Sequence, residues 1–69
     1  MKNGLKDFRR DQKITQEELA RRVKVSRQTI NNIEKGKYNP SIELVLFICR
    51  ELKCSVEQIF NLEEGNSTE

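Results

Sequence analysis

The chain of 69 residues has no histidine and no tryptophan, and it contains only two cysteines and one proline. Two thiols without histidine do not make a zinc site. The sequence also lacks a Gly-rich phosphate loop. Its paired carboxylates are better explained as charges at a helix start, for Glu17-Glu18, and in the tail, for Glu63-Glu64, than as catalytic groups. We therefore expect a protein that is not an enzyme and that uses no metal or cofactor.

The sequence also has no long apolar run. No stretch approaches the roughly 18–20 apolar residues that a membrane span needs, and Met1 to Gly4 leads straight into a charged amphipathic segment, unlike a signal peptide. These features predict a cytoplasmic protein with no membrane partner.

In a reducing compartment a Cys49–Cys54 disulfide is not expected. Cys49 is interpreted as a small core residue, with a redox sensor as the alternative.

Charge is abundant but unevenly placed. Residues 1–40 contain 11 Lys and Arg against 5 Asp and Glu, whereas residues 41–69 contain 2 against 6, so balances of +6 and −4 lie behind a net charge of +2. This asymmetry indicates a face that meets a polyanion. A solvated surface with chance segregation of charge is the alternative reading.

Cap signals and apolar periodicity predict five helices and no strands. Thr15 with Glu18 and Ser55 with Gln58 resemble capping boxes. The predicted helices cover about residues 4–12, 15–23, 27–35, 42–52 and 56–60, with N-caps at Ser26 and Ser41 and a stop at Gly36. We expect an all-α domain over residues 1–62 and a short acidic, disordered tail over residues 63–69.

The second and third predicted helices are joined by the tight turn Val23 to Ser26. Because so short a turn prevents the helices from running antiparallel at length, they must cross steeply and share a small core. That core is predicted to consist of Leu19, Ala20, Val23, Val25, Ile30 and Ile33. This is the geometry of a helix-turn-helix, whose second helix can enter a major groove.

Four linked blocks carry a family resemblance: Gln16 to Ala20, Val25 to Ile30, Ile33 to Lys37, and Asn39 to Ser41. At this spacing the chain resembles the prokaryotic phage-repressor/Cro family, also called xenobiotic-response-element-type regulators. The resemblance covers about residues 5–60. It implies a compact five-helix lambda-repressor-like domain that binds a double-stranded operator as a homodimer and represses or activates transcription.

The exposed face of the predicted recognition helix has the chemistry of base readout. It carries no acidic side chain before Glu34, and arginine pairs with guanine while glutamine or asparagine pairs with adenine. The alternative is an ordinary polar surface, but such surfaces are usually rich in Glu and Lys, and paired asparagines are poor helix formers. The predicted base-contacting residues are Arg27, Gln28, Thr29, Asn31 and Asn32.

Flanking residues are predicted to contact the DNA backbone. Gln16 begins the helix that crosses the backbone, and the resemblance adds that it contacts phosphate and braces the recognition helix near Gln28. The full predicted set is Gln16, Ser26, Lys35, Lys37, Tyr38 and Asn39. For Lys37 in particular, a solvated lysine is the alternative. The resemblance also implies a partly buried structural ion pair between Arg9 and Glu34.

The fourth helix has more apolar residues than one face can use. At 100° per residue, the predicted core stripe consists of Ile42, Val45, Leu46, Cys49 and Leu52, with Ile48 at its margin. Leu44 and Phe47 fall outside this stripe. With Phe60 and Leu62 they are predicted to form an exposed apolar dimer interface, unless the N-terminal helix or the tail covers them.

The sequence thus predicts a specific DNA-binding regulator, with a repressor favoured. A second hypothesis is an antitoxin-like or anti-repressor-like module whose acidic tail binds a small protein partner, although the tail is short for that task. An enzyme is the third class, and the sequence offers it no site.

Overall fold

Within the part of the chain that the structure describes, five helices and one pair of very short strands make up the fold. The computed structural model describes residues 2–61, with the side chains of Lys2 and Asn61 left aside. The helices are α1 (Leu5–Asp11), α2 (Gln16–Arg22), α3 (Arg27–Glu34), α4 (Ile42–Leu52) and α5 (Val56–Ile59), and the strands are β1 (Lys2–Asn3) and β2 (Phe60–Asn61). The predicted five-helix, lambda-repressor-like fold class is confirmed.

Side-chain caps set where four of the helices begin. The hydroxyls of Thr15, Ser26, Ser41 and Ser55 each accept a hydrogen bond from the backbone N–H three residues later. At Ser55 the Gln58 side chain also returns to the cap, which completes the box. The box predicted at Thr15 is only half formed, because the Glu18 carboxylate pairs with Arg21 and Arg22 instead.

The two strands join the ends of the described segment. Asn3 pairs with Phe60 in an antiparallel ladder, and the Gly4 N–H donates to the Ile59 carbonyl at 2.7 Å. Two-residue strands are too short to produce an alternating pattern, which is why the prediction of no strands missed them. The pairing holds the N-terminus beside α5 and close to α3.

The hydrophobic core gathers side chains from every helix. Leu5, Leu19, Ile30, Ile33, Ile48, Leu52 and Ile59 are fully buried, and Ile14, Ala20, Val23, Leu44, Val45, Cys49 and Phe60 are nearly so. Of the six residues predicted to hold α2 against α3, five are buried, and Val25 is partly buried against the same cluster. This shared core fixes the angle at which α3 leaves the body of the domain.

The face of α4 was predicted wrongly. Leu44 and Ile48 are buried with Val45, Cys49 and Leu52, whereas Ile42 is 73% and Leu46 is 56% exposed. The buried stripe is therefore rotated by roughly 70° from the predicted one, at 100° per residue. The apolar pattern alone did not reveal this rotation, because both stripes of α4 contain five apolar residues.

The predicted dimer interface needs a matching correction. Leu44 and Phe60 are each only 8% exposed and belong to the core of the chain itself, while Phe47 is 38% exposed. Leu62 lies outside the described residues, as does the predicted acidic tail over residues 63–69.

Among the described helices, none is long and apolar enough to cross a membrane.

Candidate nucleic-acid interface

The turn between α2 and α3 is fixed by backbone hydrogen bonds and one left-handed residue. Lys24 has φ 63°, and the Val25 N–H donates to the Ala20 carbonyl at 3.0 Å. Ala20 is 3% exposed, so a small side chain stands where the two helices meet. The turn reverses the chain within a few residues and sets α3 across α2.

The start of α3 is held by two hydroxyls. The Ser26 Oγ accepts from the Thr29 N–H at 3.1 Å and lies 2.9 Å from the Thr29 Oγ1. Both hydroxyls therefore already have a partner within the protein. Ile30 and Ile33 of α3 turn into the core. The other side of the helix lies at the surface, where Arg27 and Gln28 are exposed. Thr29, Asn31 and Asn32 on that side are partly buried.

Arg9 of α1 and Glu34 at the end of α3 form an ion pair. The Arg9 Nε donates to Glu34 Oε2 at 2.7 Å, and the Nη2 lies 3.3 Å from Oε1. The Arg9 Nη1 also donates to the Ile14 carbonyl at 2.8 Å. The side chains are 9% and 4% exposed. The one acidic side chain of α3 is thus compensated and shielded from solvent.

Gln16 extends this pair to the surface of α3. Its Nε2 donates to Glu34 Oε1 at 2.9 Å and to Asn31 Oδ1 at 3.2 Å. The resemblance placed the bracing contact near Gln28, but the structure places it at Asn31. Both amide hydrogens of Gln16 are therefore engaged within the protein. A contact from this side chain to phosphate requires that one of these two bonds be given up.

The segment after α3 keeps its polar side chains exposed. Gly36 has φ 75°, a left-handed conformation that glycine adopts without strain, and the Lys37 N–H donates to the Asn32 carbonyl at 2.9 Å. The helix therefore stops there and the chain turns. The predicted backbone-contacting residues Lys35, Lys37, Tyr38 and Asn39 follow in this turn and are all exposed.

One acidic side chain on α2, that of Glu18, is also paired with arginines. Arg22 and Arg21 hold the pKa of the Glu18 carboxyl below its usual value, because both guanidinium groups donate hydrogen bonds to it. A carboxylate on the helix that precedes α3 is in this way offset by neighbouring positive charge. This pairing limits its repulsion of a phosphate backbone.

Sequence reasoning missed the role of Asn3. Its Nδ2 donates to the Ile33 carbonyl at 2.7 Å, and its Oδ1 accepts from the Leu5 N–H at 3.2 Å. Asn3 thereby ties the N-terminus to the last turn of α3. The only available signal was an asparagine just before a predicted helix, a common cap position, and nothing in the pattern pointed to a helix 30 residues away.

Comparisons with known proteins agree with this geometry. The sequence profile of a helix-turn-helix family matches residues 5–59. An uncharacterized HTH-type transcriptional regulator of Archaeoglobus fulgidus is 48% identical over 64 residues, which cover 93% of this chain and 90% of that protein. The uncharacterized HTH-type transcriptional regulator YgzD of Bacillus subtilis is 46% identical over 66 residues, covering 96% of this chain and 100% of that protein.

Solved structures share the fold. The clp gene regulator ClgR of Corynebacterium glutamicum superposes with a TM-score of 0.72 at 36% identity, over 75% of this chain and 55% of that one. The restriction-modification controller protein C.AhdI of Aeromonas hydrophila superposes with a TM-score of 0.75 at 25% identity, over 81% of this chain and 85% of that one. These proteins are regulators and controllers, not enzymes.

Proposed function

The chain belongs to the helix-turn-helix family of DNA-binding transcriptional regulators, and we propose that it is a cytoplasmic repressor that binds an inverted-repeat operator as a homodimer. The observation that carries the proposal is the surface of α3. Its side chains are polar donors and acceptors, and its single carboxylate, on Glu34, is buried against Arg9. A helix of this composition can approach a polyanion without repulsion and read base edges.

Arg27 and Gln28 are assigned to base contacts because they are the exposed residues of the first turn of α3. The guanidinium of Arg27 can donate two hydrogen bonds to guanine, and the amide of Gln28 can pair with adenine. Thr29, Asn31 and Asn32 complete the proposed reading surface. Thr29 shares a hydrogen bond with Ser26, so its methyl group is the part best suited to contact a base.

Backbone contacts are assigned to the residues that flank α3. Lys35, Lys37, Tyr38 and Asn39 are exposed at one end of the helix and Ser26 at the other. Lysine, tyrosine and asparagine side chains donate to phosphate oxygens and fix the register of the protein on the duplex. Gln16 is assigned a supporting role, since its amide hydrogens bind Asn31 and Glu34.

A homodimer is proposed because one short recognition helix reads only a few base pairs. A second copy doubles the site, and twofold symmetry then requires an inverted repeat with half-sites about 34–36 Å apart. The proposed contact surface is the exposed side of α4, where Ile42, Leu46 and Phe47 surround the exposed Glu43 and Arg50. The Arg50 guanidinium lies within this surface, 5.2 Å from the centre of the Phe47 ring.

Analytical ultracentrifugation tests the dimer, with and without a selected operator. Phe47→Glu replaces an aromatic side chain of the proposed contact surface with a charge, and we expect a folded monomer with weak operator binding. Lys6→Glu, at an exposed position of α1, is the matched control and should remain dimeric. A wild-type protein that is monomeric both free and on DNA contradicts the proposal. If Phe47→Glu unfolds, Phe47 is a core residue and the proposed face is wrong.

The inverted repeat and the direction of regulation are tested separately. Inserting five base pairs, about half a helical turn, between the half-sites should abolish cooperative binding, because the two recognition helices would then face opposite sides of the duplex. A reporter with the operator overlapping its promoter should lose expression when the protein is present. Increased expression contradicts the repressor assignment while leaving DNA binding intact.

A further inference from the structure

We propose that the exposed side of α4 binds the same side of a second copy in an antiparallel arrangement, in which Glu43 of each copy forms an ion pair with Arg50 of the other. The inference rests on the proposed homodimer and deepens it, because it fixes the orientation of the two copies and names the charges that set it. It follows from the order of charged and apolar side chains along α4.

The exposed side of α4 consists of five residues. Positions 42, 43, 46, 47 and 50 are exposed, whereas the residues between them turn into the core. Three of the five are large and apolar, with Ile42 73%, Leu46 56% and Phe47 38% exposed. Large apolar side chains grouped on one surface are typical of a protein contact.

The other two residues of this side carry opposite charges and lie on one line along the helix. Glu43 and Arg50 are seven residues apart, which is close to two full turns and about 10.5 Å along the axis. Within residues 2–61 neither of them forms an ion pair. The exposed side is therefore negative towards its N-terminal end and positive towards its C-terminal end.

The apolar residues occupy the middle of this side. The midpoint between Glu43 and Arg50 falls between Leu46 and Phe47, and at 100° per residue these two lie about 50° to either side of the line that joins the charges. A twofold axis at this midpoint reverses the direction of the second helix. Arg50 of the second copy then lies opposite Glu43, while Leu46 packs against Leu46 and Phe47 against Phe47.

This order of side chains favours the antiparallel arrangement over the parallel one. Two copies of α4 in parallel would place each charge opposite its like, which is destabilising. The antiparallel pair forms two equal ion pairs, as the identical halves of a twofold interface require. Arg50 suits such a contact, because a guanidinium is weakly hydrated and can donate two hydrogen bonds to one carboxylate.

Reversal of the two charges tests the arrangement by analytical ultracentrifugation of the full chain. Glu43→Arg and Arg50→Glu each place like charges opposite one another in a homodimer, so each should raise the dissociation constant about tenfold or more. An equimolar mixture of the two variants should dimerise again, because each copy supplies the charge that the other lacks. Glu57→Arg and Lys6→Glu, the same changes at exposed positions outside α4, should leave the dissociation constant unchanged.

Neutral substitutions keep the inference testable if circular dichroism shows that a reversed variant does not fold. Glu43→Gln and Arg50→Gln each remove both ion pairs and should each raise the dissociation constant about threefold. The variant that carries both substitutions should be no weaker than either single variant, because the effects of residues in direct contact do not add.

The possible results separate this inference from the proposed function. A wild-type dimer overturns the antiparallel arrangement, while the homodimer stands, if the mixture of folded reversed variants stays monomeric or if the two neutral substitutions weaken the dimer additively. A wild-type protein that is monomeric both free and on a selected operator overturns the homodimer and this inference together.

Discussion

Glu34 is an acidic residue at the end of the helix that is proposed to meet DNA, and its surroundings explain how it can be there. Its side chain is 4% exposed and accepts hydrogen bonds from Arg9 and Gln16. Removing the carboxylate leaves the guanidinium of Arg9 largely buried with one remaining partner, the Ile14 carbonyl. Loss of one member of a buried pair is costly because the other charge stays desolvated.

Glu34→Ala should therefore impair folding more than it changes base preference. We expect the free energy of unfolding to fall by about 3–5 kcal/mol, measured by urea denaturation followed by circular dichroism. Glu18→Ala is the matched control, because Glu18 also pairs with arginines but at the exposed surface of α2. Its effect should be much smaller. Equal effects of the two substitutions contradict a structural role for the buried pair.

Cys49 is a second buried residue with a testable property. Burial, followed by the neighbouring Cys54, raises the pKa of the Cys49 thiol from 9.0 to about 11. The folded state thus holds its proton more tightly than the unfolded state does. Its contribution to stability is complete below pH 9 and is lost as the pH rises towards 11. The free energy of unfolding should fall more steeply over this range in the wild type than in Cys49→Ala.

Alkylation gives an independent reading of the same thiol. At pH 8, Cys49 should react with iodoacetamide about a hundredfold more slowly in the folded protein than in urea, since two pKa units reduce the thiolate fraction by that factor. Equal rates in the two states contradict the raised pKa. Slow alkylation of the folded protein argues against the alternative that Cys49 is a redox sensor, and fast alkylation argues for it.

At the scale of elements, the starts of the helices were the most predictable feature. Serine or threonine precedes α2, α3, α4 and α5, and each hydroxyl accepts the hydrogen bond that its position predicts. A cap is a local interaction within four residues, so the sequence contains all of it. The helix-turn-helix core was predictable for the same reason, because α2 and α3 are adjacent in the chain.

Interactions between distant elements were not predictable from the residues alone. The contact of Asn3 with α3 and the bond from Gln16 to Asn31 depend on how the helices pack. The pairing of Arg9 with Glu34 came only from the family resemblance. The prediction of the buried face of α4 failed because eight of the eleven residues of this helix are apolar. Periodicity cannot choose between two apolar stripes on one helix.

The corrected face of α4 can be measured by paired substitutions. Ile48→Ala removes a fully buried side chain and should lower the free energy of unfolding by about 2–5 kcal/mol. Leu46→Ala, at a position 56% exposed on the same helix, should have little effect on the monomer. A larger loss for Leu46 than for Ile48, in urea denaturation at low protein concentration, contradicts the burial seen in the structure.

At the scale of the whole molecule, the asymmetry of charge predicts how binding depends on salt. The first 40 residues have a balance of +6 and include α3 and its flanking lysines. Cations that neutralise phosphates release counterions, so affinity should fall steeply as salt rises. Lys37→Ala should weaken binding to all sequences alike and reduce the slope of log K against log salt by about 1.

Lys53→Ala is the matched control, because this lysine lies after α4 in the acidic part of the chain. It should leave the slope unchanged in a fluorescence-anisotropy titration at several salt concentrations. An affinity that hardly changes with ionic strength contradicts the proposed electrostatic contact.

The account depends most on the claim that α3 reads bases, and base preference measured by site selection tests that claim directly. Arg27→Ala and Gln28→Ala should each relax the preference at one or two positions of every half-site, at a cost of about 1–3 kcal/mol for the preferred operator. All other positions should keep their preferences. Unchanged preference profiles for both folded variants would contradict the assignment of α3 as the recognition helix.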